Sequence, residues 1–199
     1  MKQVKAIILA AGQGKRMGSA IPKQFMKLNG KPLLYYSVEC FEKAEWISEI
    51  ILVTGKDAIS FCWRMVETYG FQKVKYIVTG GKERYDSVYE GLKVCEDCDI
   101  VFIHDGARPF LDEEMLKRTL EAAKEYGACV AAVPSKDTIK VGTEEGMVEK
   151  TLDRKTLWNV QTPQVFQYDL ICKAHREIRK GSMEGITDDS MIIEALGIC

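Results

Sequence analysis

Short apolar runs alternate with helix-period stretches along most of this chain, and that alternation restricts the fold more than any other feature. The runs Val4–Ala10, Glu49–Thr54, Val74–Thr79, Ile100–His104 and Cys129–Val133 are rich in Val and Ile, which predicts strands buried on both faces. Between them, Leu33–Ala44, Asp57–Tyr69, Glu83–Cys95 and Glu113–Tyr126 carry helical periodicity. Strand and helix repeated in this order predict an α/β fold with a mostly parallel central sheet flanked by helices. After Pro134 the rhythm changes. Thr138–Val141, the polar turn Gly142–Gly146 and Met147–Lys150 predict a β-hairpin arm, and helical pattern returns at Tyr168–Arg179 and Asp188–Leu196.

With no Ser/Gly linker, low-complexity tract or internal repeat, 199 residues predict one domain, 1–199, carrying an arm at about 136–163. The balance of 28 Lys plus Arg against 29 Asp plus Glu supplies no broad attraction to nucleic acid. No apolar run approaches the roughly 20 residues of a membrane-spanning helix. Neither nucleic acid nor membrane is therefore an expected partner. Met1–Lys5 leads straight into Ala6–Ala10 with no cleavage site behind a longer apolar core, so the N-terminus does not resemble a signal peptide. Seven scattered cysteines fit a reducing compartment, and a cytoplasmic location is expected. Cys95 and Cys98 form a C-x-x-C pair, but neither a second pair nor an H-x-x-x-H follows. Their acidic neighbours Glu96, Asp97 and Asp99 would raise thiol pKa, so zinc and redox roles are not expected.

In parallel sheets ligands bind beyond the carboxyl ends of the strands, which directs attention to three loops. The first, Leu9-Ala10-Ala11-Gly12-Gln13-Gly14-Lys15-Arg16-Met17-Gly18 with Pro22-Lys23-Gln24-Phe25, combines glycine amides with Lys15, Arg16 and Lys23, a pattern suited to polyphosphate. It is not the dinucleotide fingerprint, because the third glycine comes one position late. It is not a Walker loop either, because Gly18 is followed by Ser19 and Ala20. A glycine turn here also has a purely structural reading. The second loop, Thr79-Gly80-Gly81-Lys82-Glu83-Arg84-Tyr85-Asp86-Ser87-Val88, opens a helix, where an anion site or a tight turn with a capping Ser would look alike. In the third, His104-Asp105-Gly106-Ala107-Arg108-Pro109, Asp105 suits Mg²⁺ or a sugar hydroxyl, and Arg108 suits an anionic substrate. His104 reads as a half-buried strand residue, and His175 lies on a helix expected at the surface.

Together the three loops resemble the cytidylyltransferases of the non-mevalonate isoprenoid pathway. Asp137-Thr138-Ile139-Lys140, Asp153-Arg154-x-x-Leu157-Trp158, Gln161-Thr162-Pro163-Gln164 and Thr187-Asp188-Asp189 extend the match to seven motifs in order. The resemblance implies a single Rossmann-like domain in which a phosphate oxygen of methylerythritol phosphate attacks the α-phosphorus of CTP and pyrophosphate leaves. It implies that Arg16, Lys23 and Arg154 are catalytic, stabilising charge together with Mg²⁺ held mainly by the triphosphate. Ala10, Ala11, Gly12, Gly14, Gly81, Lys82 and Ser87 would hold the nucleotide. Asp105, Gly106, Arg108, Thr138, Thr162 and Thr187 would hold the methylerythritol end, with Asp105 a candidate Mg²⁺ ligand. The arm would make a homodimer in which Thr138 and Arg154 reach the substrate phosphate bound by the other chain.

Two departures from the family pattern stand out. Gly106 replaces the usual first Ala of Asp-Ala-Ala-Arg-Pro, and the family continues past Leu196-Gly197 into a strand, a Lys-bearing loop and a closing helix. The expectation is that this chain lacks that segment. Alternatives are a ribitol 5-phosphate cytidylyltransferase, disfavoured by Leu157-Trp158, and a CTP-binding module without turnover. An oxidoreductase is disfavoured because Thr54 and Lys56 stand where a ribose-binding acid belongs.

Overall fold

The computed structural model describes residues 3–12, 21–181 and 185–198. In chain order the elements are β1 (Val4–Ala10), a 3₁₀ turn (Lys23–Phe25), β2 (Lys27–Leu28), β3 (Lys31–Pro32), α1 (Leu33–Lys43), β4 (Glu49–Thr54), a further 3₁₀ turn (Lys56–Ala58), α2 (Ile59–Tyr69), β5 (Val74–Thr79) and α3 (Arg84–Lys93). They continue with β6 (Ile100–Asp105), α4 (Glu113–Tyr126), β7 (Ala128–Pro134), β8 (Lys140–Gly142), β9 (Val148–Thr151), β10 (Trp158–Gln167), α5 (Tyr168–Ile178) and α6 (Asp189–Glu194).

The main sheet has the order β5-β4-β1-β6-β10-β7. β1 pairs in parallel with β4 and β6, β4 with β5, while β10 is antiparallel to both β6 and β7. β10 was not among the expected strands. Its segment carries Pro163, which cannot donate to a ladder, and the register shifts between Val160 and Gln164 around it. Residues 158–163, expected as the end of the arm, therefore belong to a sheet strand. The hairpin itself is present as β8 and β9, paired Lys140 to Thr151 and Val141 to Lys150, slightly later in the chain than its pattern indicated.

Strand alternation sorts the core into two layers. Val4, Ala6, Ile8 and Ala10 face a cluster completed by Leu34, Val38 and Phe41 of α1, Cys62 and Met65 of α2, and Leu116, Leu120 and Ala123 of α4. Ile7 faces the other cluster, built with Val88 and Leu92 of α3, Ile171 and Ala174 of α5, and Ile192 and Ile193 of α6. Burial on both faces holds for the central strands β1, β4 and β6. β5 and β7 are edge strands and are largely half-buried or exposed. Helix ends follow local chemistry: Asp112 caps α4 by accepting from Met115 N at 2.7 Å, and Gly127 closes it in the left-handed region at φ 89°.

Candidate functional site

The chain leaves β1 toward β4 but leaves β6 toward the β10 and β7 side, so a crevice opens at the carboxyl ends of β1 and β6, where Leu9 stands opposite Asp105. Gln24, buried in the 3₁₀ turn, donates from Nε2 to the carbonyls of Ala10 at 2.5 Å and Gly12 at 2.9 Å. Thr54 Oγ1 also donates to Ala10 O at 3.3 Å. The end of β1 is thus held from two sides, with Ala11 half-buried and Gly12 exposed beyond it. Gly14, Lys15 and Arg16 lie outside the described residues.

The second loop packs against the first. Gly80 N donates to Thr54 O at 2.8 Å, and a Cβ on Gly80 would lie 2.6 Å from the Ala11 Cβ and 2.7 Å from Ser87 Oγ. Only glycine permits this approach. Ser87 is not the helix cap: Glu83 and Asp86 form a capping box at the start of α3. Ser87 is buried and bridges the loop, accepting from Gly81 N at 3.1 Å and donating to Glu83 O at 3.2 Å. Gly81 and Lys82 remain exposed.

At the third loop, Asp105 Oδ1 faces Arg84 Nε at 3.4 Å and Oδ2 faces Arg108 Nε at 3.0 Å. Burial works against ionisation of Asp105, but Arg84 and Arg108 outweigh it and hold the carboxyl below its usual range. Both oxygens are therefore engaged by guanidinium groups, which leaves Asp105 poorly suited as a direct Mg²⁺ ligand. Among the described residues no group of three His, Cys, Asp or Glu is arranged to hold a metal ion. Remaining lone pairs on the carboxylate can still accept from hydroxyls.

A hydrogen-bonded chain orders this loop from beneath. Asp105 N donates to Thr162 Oγ1 at 3.2 Å, the Thr162 hydroxyl lies 3.0 Å from His104 Nδ1, and His104 Nε2 lies 3.1 Å from Arg108 O. Because a carbonyl only accepts, Nε2 carries the proton and Thr162 donates to Nδ1. His104 is fully buried rather than half-buried, and burial lowers its pKa to about 4, keeping it neutral. The Thr162 proton is committed to His104, so Thr162 shapes the loop through its hydroxyl. Gly106 N donates to Leu9 O at 2.8 Å, and an added Cβ would sit 2.6 Å from Leu34 Cδ1, a side-chain end that must give way to accommodate the family's Ala.

Lys23, Arg108, Gln161 and Thr162 line one cleft of about 500 Å³, with Leu28, Leu33 and Phe110 among its apolar walls. Arg108 Nη1 also donates to Gln161 Oε1. Thr187 is exposed just before α6, with its hydroxyl 3.2 Å from Met191 Sδ. Thr138 and Arg154 are not among the residues lining the cleft: both are exposed on the arm, where Arg154 donates to Lys136 O at 3.3 Å.

Two expectations away from the crevice change. His175 is fully buried rather than at the surface, stacked on Tyr89 with ring centroids 6.0 Å apart, and burial lowers its pKa to about 4. The Cys95 thiol is raised as expected, but chiefly by a hydrogen bond with Cys98 and by burial rather than by acidic neighbours.

A family model described as IspD, 2-C-methyl-D-erythritol 4-phosphate cytidylyltransferase, matches residues 4–199. The chain belongs to this family. The 2-C-methyl-D-erythritol 4-phosphate cytidylyltransferase of Alkaliphilus oremlandii is 49% identical over 199 residues, covering 99% of this chain and 84% of that protein. The protein of the same name from Clostridium perfringens is 46% identical over 197 residues, covering 99% and 87%. Among solved structures, the 4-diphosphocytidyl-2C-methyl-D-erythritol synthase of Anaerococcus prevotii superposes with a TM-score of 0.86 at 34% identity, covering 98% of this chain and 83% of that one.

Three side chains whose importance no local pattern shows order this crevice. Gln24, Arg84 and Gln161 lie in the loop motifs, but their importance depends on what each reaches across the fold.

Proposed function

We propose that this chain transfers the cytidylyl group of CTP to 2-C-methyl-D-erythritol 4-phosphate, giving 4-diphosphocytidyl-2-C-methyl-D-erythritol and pyrophosphate in isoprenoid precursor biosynthesis. The convergence of Ala10–Gly12, Gly80–Ser87 and Asp105–Arg108 on one crevice, in a chain of this family, carries the reading. A phosphate oxygen of the sugar alcohol forms a bond to the α-phosphorus as the bond to the pyrophosphate oxygen breaks. No group on the protein forms a covalent intermediate, so catalysis consists of positioning and charge stabilisation.

In this reading Ala10, Ala11, Gly12 and Gly14 line the nucleotide, and Gly81, Lys82 and Ser87 contact or shape its base and phosphate subsites. Arg16 and Lys23 stabilise charge at the α-phosphorus, with the partner subunit's Arg154 and the partner subunit's Thr138 completing the site. Asp105 accepts from the hydroxyls of the sugar alcohol, Arg108 and Thr187 meet its polar groups, and Gly106 and Thr162 shape that subsite. A divalent cation such as Mg²⁺, held mainly by the triphosphate, would supply further charge neutralisation. The arm supports a homodimer, since a two-stranded hairpin is marginally stable alone and its Met147 and Val148 are exposed. A cytoplasmic location accords with the cysteine usage, and no helix among the described residues is long and apolar enough to cross a membrane.

Pyrophosphate release from CTP, measured with 2-C-methyl-D-erythritol 4-phosphate and with ribitol 5-phosphate in turn, tests the reading. Release with the first substrate is expected. Preference for ribitol 5-phosphate would overturn the acceptor, and CTP binding without release with either would make the chain a binding module.

A further inference from the structure

Arg84 begins α3, one residue beyond its capping Glu83, yet its guanidinium crosses to two other elements. Nε reaches Asp105 Oδ1 at 3.4 Å, and Nη1 reaches Asp189 Oδ2 at 2.6 Å, 105 residues away in sequence. Asp189 is wholly inaccessible to solvent, and burial pushes its carboxyl upward against the pull of Arg84. A buried ion pair of this kind contributes little net stability, because desolvation of both charges offsets their attraction. Its surroundings are nonetheless fixed with care. Asp189 N donates to Gln164 Oε1 at 3.0 Å, and Gln164 Nε2 donates to Asp188 Oδ2 at 3.1 Å. Asp188 in turn accepts from Met191 N at 3.0 Å to cap α6.

We infer that Arg84 is a positioning residue for the acceptor side of the site: it binds the tip of β6 to the start of α6, so that Asp105 and the adjoining Thr187 are held as one unit. The inference rests on the cytidylyltransferase reading and deepens it. The hydrogen bonds of the Arg84 guanidinium run to Asp105 Oδ1 and Asp189 Oδ2. It fixes the Oδ1 side of a carboxylate whose Oδ2 side is fixed by Arg108, leaving Asp105 a single orientation. Without Arg84, Asp105 would keep only its exposed partner Arg108, and Asp189 would be a buried carboxylate with no cation beside its Oδ2.

Steady-state kinetics of Arg84→Met, Arg84→Lys and Asp189→Asn, with each substrate varied, test this. Arg84→Met is expected to raise KM for 2-C-methyl-D-erythritol 4-phosphate about tenfold while KM for CTP changes less than about twofold. Arg84→Lys is expected to recover part of the loss, because an ammonium can meet one carboxylate but not fork between two. Arg84→Met combined with Asp189→Asn should be no worse than Arg84→Met alone, the non-additivity of a shared contact. Equal rises in both KM values, or no rise in either, would overturn the inference, as would a fall in melting temperature with unchanged kinetics. Should Arg84→Met not fold, Asp189→Asn carries the same comparison. Calorimetric titration of 2-C-methyl-D-erythritol 4-phosphate, with a non-hydrolysable CTP analogue present, reads the same shift without turnover. Wild-type binding with no pyrophosphate release would therefore overturn the reaction while the Arg84 comparison still decides the inference.

Discussion

Gln24 Nε2 donates to the carbonyl oxygen of Ala10 at 2.5 Å, across 14 residues of chain, and to Gly12 at 2.9 Å. One buried side chain therefore closes the loop that follows the first strand. Gln24→Leu keeps most of the volume but leaves the Ala10 carbonyl with only the longer bond from Thr54. Loss of one buried hydrogen bond costs about 0.5–1.5 kcal/mol, so urea unfolding should show a loss in that range. KM for CTP should rise more than KM for the acceptor. Unchanged stability and an unchanged KM for CTP would show that Gln24 does not hold the loop.

Gly80→Ala tests the close approach of the first and second loops, and Gly81→Ala tests the packing of the second loop on the start of α3. The new Cβ at 80 would overlap the Ala11 Cβ, and that at 81 would overlap the Asp86 Cβ in the capping box. Neither neighbour is the end of a long flexible side chain. Each substitution is expected to lower kcat/KM for CTP at least about tenfold, equivalent to roughly 1.4 kcal/mol. Wild-type kinetics for both would mean that neither close contact matters to turnover.

Mixing chains tests whether the site is shared between subunits. A Lys23→Ala chain and an Arg154→Ala chain should each be nearly inactive alone. In a mixed dimer, one of two sites would combine wild-type Lys23 with the partner subunit's Arg154. Random reassortment should then restore about a quarter of wild-type activity, from symmetry alone. Absence of any recovery, with mixed dimers demonstrated by mass spectrometry, would place Arg154 in its own chain's site, and full activity of the Arg154→Ala chain alone would place it outside both.

Acid should destabilise the fold through its two histidines. Burial lowers both His104 and His175 to about 4 from an ordinary value of 6.5. As pH falls below about 6.5, the unfolded chain takes up protons that the folded chain refuses until about pH 4. Stability is therefore greatest above this window and declines through it, by ~3 kcal/mol for each histidine. Urea unfolding near neutral pH and at about pH 4.5 measures the decline. His104→Gln should roughly halve its slope, and an unaltered slope would assign the acid sensitivity elsewhere.

Most of the parallel framework was legible because doubly buried strands and amphipathic helices carry strong periodic patterns. Val4–Ala10, Glu49–Thr54 and Val74–Thr79 form strands with the expected limits, as Glu113–Tyr126 forms the expected helix. β10 was not legible, because polar Gln161, Thr162 and Gln164 with Pro163 conceal a strand whose pairing is supplied by β6 and β7. His175 was misplaced for a related reason: α6 and Tyr89 cover a helix face that looks solvent-directed in isolation.

The site divides along the same line. Sequence alone picked out Gly80, Gly81, Lys23 and Asp105 near the strand ends, because local backbone freedom and charge type can be read residue by residue. Tertiary structure alone decided what they touch: that Gln24 closes the first loop, that Thr162 gives its proton to His104, and that Arg84 joins Asp105 to Asp189. The physical reason is range. Periodicity, capping and glycine chemistry act over a few residues, whereas the direction of a buried hydrogen bond depends on which distant elements the sheet order brings together.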